Sequence, residues 1–175
     1  MTKIISSSLL LASLSLTLVF ADHHGGGGAH PFNGKDLTDW SFKAKKNKQG
    51  KAVKPKWVLG SPTLSDNPSA FSVAAGEGAM VNTVSGHGQS LDIYSNAKFG
   101  SSRIEVEFMV AEGANSGVYL MGEYEVQIFD SYGKTKMGNG DMGAVYGAAP
   151  PAANGCKKPG EWQTYLFELV SGKFS

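Results

Sequence analysis

Glu125, Gln127 and Asp130 lie within "NSGVYLMGEYEVQIFDSYGK" (115–134), a run otherwise rich in aromatic and β-branched residues. Polar side chains two positions apart share one face of a strand. Paired carboxylates on such a face can divide acid and base work when their surroundings separate their pKa values. "SRIEVEFMV" (102–110) repeats the spacing, with Ile104, Val106, Phe108 and Val110 on one side and Arg103, Glu105, Glu107 and Met109 on the other. If Glu105 and Glu107 share the surface of Glu125 and Gln127, then three carboxylates, an amide and an arginine gather there. On a concave surface, Tyr119, Tyr146 and Trp162 are rings able to stack on a pyranose. The plainer reading of the same alternation is the solvent-washed face of an antiparallel sheet, which is polar by default.

The elements that must hold these residues are strands. "KWVLG", "AFSVAAG" and "GAMVNTV" are short apolar runs cut by Gly, Ser and Pro, "SLDIYS" alternates, and "SGVYLM" and "YEVQIFD" join at Gly122. In the last of these, Tyr124, Val126 and Ile128 are assigned to a core, and Glu125, Gln127 and Phe129 to the opposite face. No stretch keeps a helical period, and 23 glycines suit many tight turns. The expected class is all-β, a sandwich or jelly roll. In "PFNGKDLTDW" (31–40), Phe32, Leu37 and Trp40 are apolar anchors around an Asn-Gly turn. Seven lysines between Lys43 and Lys56, without apolar periodicity, read as a solvated loop before an anion-binding patch.

The amino terminus carries Lys3, an apolar run from Leu9 to Phe20 and Val19-Phe20-Ala21, the pattern of a secretory leader cleaved after Ala21. Residues 1–21 are read as that leader, 22–30 as a Gly/His-rich linker and 31–175 as one sandwich domain. A secreted or periplasmic location follows, with no membrane attachment after cleavage. Cleavage would expose Asp22-His23-His24, whose third-position histidine can bind copper or nickel, although a flexible tail is the simpler reading. Lys+Arg is 16 against 15 Asp+Glu, and losing Lys3 leaves a balanced chain. That balance points to neither nucleic acid nor an anionic membrane as partner. The single Cys156 excludes an internal disulfide and reads as a loop thiol rather than a catalytic one.

"FNGKDLTDW", "FMVAEGANSGVYL", "YEVQIFDS" and "KPGEWQTY", in this order, resemble the secreted bacterial family of 3-keto-disaccharide hydrolases, from about Phe32 to Tyr165. The resemblance implies a concanavalin-like β-sandwich, a carbohydrate substrate and cleavage of glycosidic bonds in 3-keto sugars. It places the family's polar signature on Asn115, Glu125, Gln127 and Asp130, its Gly-Glu-Trp residues on Glu161 and Trp162, and a common acidic position on Glu107. Each has a structural alternative: Asn115-Ser116-Gly117 as a turn, Asp130-Ser131 as a turn closing the strand, Trp162 as core.

A ketone at C3 acidifies the proton on C2. A base removes it to give an enolate, the C1 oxygen leaves, and water adds afterwards. The site then needs a base near C2, a donor or metal at the C3 oxygen and an acid at the leaving group. Glu125 is the candidate base, and Gln127 and Asn115 are candidate donors to the enolate. Glu107 or Asp130 is the candidate acid, or helps hold a divalent cation through oxygen ligands. Tyr119, Tyr146 and Trp162 are candidate sugar contacts. No cofactor motif is evident, and metal ligands are not assigned. After Tyr165 the motif resemblance ends, so the sandwich is expected to be incomplete at its carboxyl end, poorly stable and inactive as it stands. The alternative function is a carbohydrate-binding sandwich without catalysis, which would tolerate Glu125→Gln.

Overall fold

The computed structural model describes residues 15–21, 29–84, 89–170 and 173–174, with side chains for 29–84 and 89–170. All regular structure among them is β: β1 (Ser15–Ala21), β2 (Trp40–Phe42), β3 (Trp57–Leu64), β4 (Phe71–Ala75), β5 (Ala79–Asn82), β6 (Ile93–Ser95), β7 (Ser102–Met109), β8 (Asn115–Leu120), β9 (Tyr124–Phe129), β10 (Gln163–Val170) and β11 (Lys173–Phe174). Seven of them form one sheet in the order β11-β10-β7-β1-β5-β3-β4, while β2-β6 and β8-β9 are separate two-stranded sheets. Every pairing is antiparallel. The all-β class expected from the alternating runs is the class observed. The lysine-rich segment carries no named strand, only an isolated bridge between Lys46 and Ala52.

The core forms where the large sheet meets the β8–β9 hairpin. Ile104, Val106 and Phe108 of β7 and Phe167 of β10 pack in one buried cluster with Leu120, Val126 and Ile128 of the hairpin, Met80 of β5, and Phe32 and Trp40. Burying several such side chains at roughly 1.5–3 kcal/mol each is what fixes the two layers together. The anchors around the Asn-Gly turn behave as their spacing implies. Asn33 Oδ1 accepts from the N–H groups of Lys35 and Asp36, and the Trp40 indole donates to the Pro31 carbonyl at 3.1 Å.

Two strands go beyond the sequence reading. β10 runs through Tyr165 to Val170, with Gln163, Tyr165 and Phe167 opposite Phe108, Val106 and Ile104. The alternation therefore continues past the point where the quoted motifs end, because Phe167 and Leu169 keep the core face supplied. The second is β1. Its seven residues, read as the apolar part of a leader, lie in the large sheet between β5 and β7. An apolar run with serine and threonine at intervals satisfies a leader and a central strand equally well.

Candidate active site

β8 and β9 are joined by three residues, Met121, Gly122 and Glu123; the first two have positive φ (55° and 73°), and the Glu123 N–H closes the turn on Leu120 O. The register sets Asn115 opposite Phe129, Gly117 opposite Gln127 and Tyr119 opposite Glu125. Directly opposed residues share a face. Val126 and Ile128 occupy the core side, so Glu125 and Gln127 stand on the outer side with Asn115, Gly117 and Tyr119. Asn115-Ser116-Gly117 is strand rather than turn.

This outer face is not washed by solvent throughout. The segment 138–149 zips along the free edge of β9: Gln127 N–H donates to Ala144 O at 2.9 Å, Gly143 N–H to Gln127 O at 2.9 Å, and Tyr146 N–H to Glu125 O at 2.9 Å. The bridge between Val126 and Val145 fixes the register. Tyr146 therefore stands beside Glu125 as Tyr119 does on its other side, giving the row Tyr119–Glu125–Tyr146 across three extended segments.

Glu125 is half-buried and lies across the glycine floor. A Cβ placed on Gly117 would sit 2.6 Å from Glu125 Cγ, so any larger residue at 117 would force this side chain to shift. The Tyr119 phenol donates to Glu125 Oε2 at 2.8 Å. That hydrogen bond, with partial burial and the negative charges of Glu125 and Asp92, pushes the Tyr119 pKa up to about 12. Tyr119 is thus a protonated phenol at neutral pH, with its hydrogen aimed at a carboxylate.

Gln127 is 2% exposed, although its outward position in the alternation pointed to an accessible amide. Its Nε2 donates to Asn115 Oδ1 at 3.2 Å and to Gly140 O at 3.3 Å. Its carbonyl accepts from the Tyr165 phenol at 2.6 Å as well as from Gly143. Both amide hydrogens are engaged, so in this geometry Gln127 ties strand, loop and core together and does not donate to a substrate. Asn115 spends its Oδ1 on Gln127, which keeps its exposed Nδ2 directed away from that bond.

The covering loop is itself built from buried polar contacts. Lys134 Nζ reaches both oxygens of buried Asp141 at 2.7 Å, and Gly138 N–H donates to the same carboxylate. Its pKa is held below the ordinary 3.8, chiefly by Lys134. Ser131 Oγ accepts from Met142 N–H, and Asn154 Nδ2 donates to the carbonyls of Ser131 and Lys134. Cys156 sits half-buried below this loop, where burial raises the thiol above its usual range. This is the reverse of what an activated thiolate needs.

Five of the sequence candidates, Asn115, Tyr119, Glu125, Gln127 and Tyr146, thus meet on one surface. Two others, Glu107 and Asp130, do not join them. Glu107 belongs to β7, whose core residues Val106 and Phe108 pack in the same cluster as Val126 and Ile128. Glu107 and Glu125 therefore point out of opposite layers, and the gathering of three carboxylates does not form. Asp130 accepts from the N–H groups of Gly113 and Tyr132, closing the turns on either side of the strand end. Trp162 is 39% exposed and so not core, and its carbonyl accepts from Lys157 Nζ. Gly117 and Asp141 were missed from the sequence. A glycine inside a strand, opposite the signature residue Gln127, was the available signal for the first. Among the described residues, no group of three or more His, Cys, Asp or Glu is arranged to hold a metal ion, and no helix is long and apolar enough to cross a membrane.

Comparison with known families matches residues 29–174 to the 3-keto-alpha-glucoside-1,2-lyase-like domain. The match runs past Tyr165, where the quoted motifs end, and takes in all of β10. No curated protein and no solved structure matches the chain.

Proposed function

The chain belongs to the 3-keto-alpha-glucoside-1,2-lyase-like domain family, and from that premise we propose that the outer face of β8–β9 is the catalytic surface of an exported enzyme cleaving 3-keto disaccharides or related glycosides. The observation that carries this reading is Glu125 laid over Gly117 and hydrogen-bonded by the Tyr119 phenol. Glu125 takes the proton from C2, and the released electron pair becomes the enolate between C2 and C3. Its collapse expels the C1 oxygen, leaving a double bond between C1 and C2 and restoring the C3 carbonyl. Tyr119, protonated up to a pKa of about 12, supplies the proton to the departing oxygen. Asn115 Nδ2 is the donor for the C3 oxygen where the enolate charge develops, with Gln127 holding Asn115 in place. Tyr146 offers a ring beside the carboxylate for the sugar to rest on. Addition of water across the new double bond completes a net hydrolysis. The apolar run from Leu9 to Phe20 is the basis for export.

The test is turnover of a 3-keto disaccharide by wild type and Glu125→Gln, each with and without chelator. Loss of the base is expected to cost about a hundredfold or more, with the melting temperature little changed because Glu125 lies off the core. Near-normal turnover by the variant would remove Glu125 as the base. Tight sugar binding by both proteins with turnover by neither would instead mark a binding module. A drop on chelation would bring a divalent cation into the site.

A further inference from the structure

β5 and β7 do not pair with each other, and β1 lies between them. The family match begins at residue 29, so the strand at the centre of the large sheet stands outside the matched domain while its neighbours on both sides belong to it. Within the matched residues the sheet consists of two groups, β11-β10-β7 and β5-β3-β4. The edge of β7 between them runs beside the fully buried Val106 and Phe108. An edge of that kind is a template for strand addition through its backbone groups. β1 uses it along its whole length, Ser15 to Ala21 opposing Met109 to Arg103. Toward β5 only Ser15 and Leu16 are paired, with Val81 and Met80.

We propose that the space between β5 and β7 is a strand-accepting groove and that Ser15–Ala21 is its separable ligand, held by β7 even after the chain is cut behind Ala21. The register states the chemistry the groove selects. Leu16, Leu18 and Phe20 stand opposite Phe108, Val106 and Ile104, all core residues, whereas Thr17 and Val19 stand opposite Glu107 and Glu105. The ligand is an extended segment of about seven residues, apolar at every second position and free of proline, since a central strand needs each backbone N–H. The segment that reads as an export leader thereby has a second use, closing the sheet of the uncleaved chain. Cleavage of an exported chain after Ala21 leaves the groove dependent on this peptide or on another strand of the same pattern.

The test uses the full-length protein with a protease site inserted within residues 22–28. After cutting, the amino-terminal fragment is expected to co-elute with the rest of the chain on size exclusion. A labelled synthetic peptide of residues 15–21 should exchange into the cut protein, and the same peptide with Leu18→Pro should not. In the uncut chain, Leu18→Pro should reduce hydrogen-exchange protection of the β7 amides directed at β1 by at least about tenfold, or prevent folding, while Leu9→Pro, outside β1, does neither. Separation of the fragment on cutting would overturn the proposal, as would uptake of the proline peptide or unchanged β7 protection in Leu18→Pro.

Discussion

The outer faces of β7 and β9 carry nearly the same message in sequence: acidic and polar residues at every second position, over a core of Val, Ile and Phe. In the folded chain they differ sharply. On β7, Glu105 and Glu107 face outward in register with Leu166 and Thr164 of β10, and the ion pair formed among the described residues is Lys134–Asp141 rather than one involving Arg103. On β9, a loop closed by Lys134, Asp141, Ser131 and Asn154 comes down on the free strand edge, buries Gln127 and sets Tyr146 beside Glu125. Glycine at 117 then lets the carboxylate lie flat under the Tyr119 phenol. The difference shows what alternation leaves out. A polar strand face becomes a reactive surface where a second element covers part of it and fixes the protonation and direction of what remains.

The largest effect expected from breaking the β9 side is on stability, through Gln127. Gln127→Leu keeps the volume but removes the buried amide that ties Asn115 Oδ1 and Gly140 O to the strand, two hydrogen bonds that together should cost about 2 kcal/mol in denaturant unfolding. A cost below about 0.5 kcal/mol would mean that the loop does not depend on this amide. Asp141→Asn comes next, at about 1–2 kcal/mol near neutral pH, through loss of the charge-assisted contact with Lys134. The pH dependence has a definite sign. The folded-state pKa of Asp141 lies below the ordinary 3.8, so its contribution is complete above that value and is lost as pH falls through the folded pKa. Wild type and Asp141→Asn should therefore converge in stability in strong acid, as followed by chemical unfolding from pH 7 to pH 2.

Gly117→Ala sharpens the comparison, because it adds one methyl and no charge. The new Cβ occupies the place of the Glu125 side chain, while the strand backbone accepts alanine without strain. Turnover should fall by about tenfold, on the scale of a modest misplacement of a reacting group, with an unchanged or slightly raised melting temperature. Equal losses of stability and activity would show that Gly117 serves packing alone. Glu107→Gln on the β7 face is the smallest, expected to stay within about 0.5 kcal/mol in stability, because this half-buried side chain lies off the core and Gln keeps its size and polarity, and within twofold in turnover.

The two strands with the clearest alternation were legible from the sequence to within a residue: the run 102–110 is β7 (Ser102–Met109) and the run 124–130 is β9 (Tyr124–Phe129). Glu125 was legible as a candidate for the same reason. The burial of Gln127 was not, since the partners that bury it, Gly140, Ala144 and Tyr165, come from elsewhere in the chain and leave no local pattern. Asp130 entered as a candidate through the family resemblance, with a turn closing the strand as the plainer reading, and its oxygens accept from the N–H groups of Gly113 and Tyr132, the contacts of such a turn. β1 was hidden by ambiguity of composition, as Leu16 to Phe20 fits a leader and a central strand alike.

The central claim is that proton abstraction belongs to the β9 face through Glu125 and not to the β7 face through Glu107. It is tested most directly by exchange of the C2 hydrogen of a 3-keto disaccharide in D2O, followed by NMR before any bond is cleaved. Wild type and Glu107→Gln should catalyse the exchange at similar rates, and Glu125→Gln should slow it by about a hundredfold or more. Exchange by Glu125→Gln at the wild-type rate, or its loss in Glu107→Gln alone, would contradict the account.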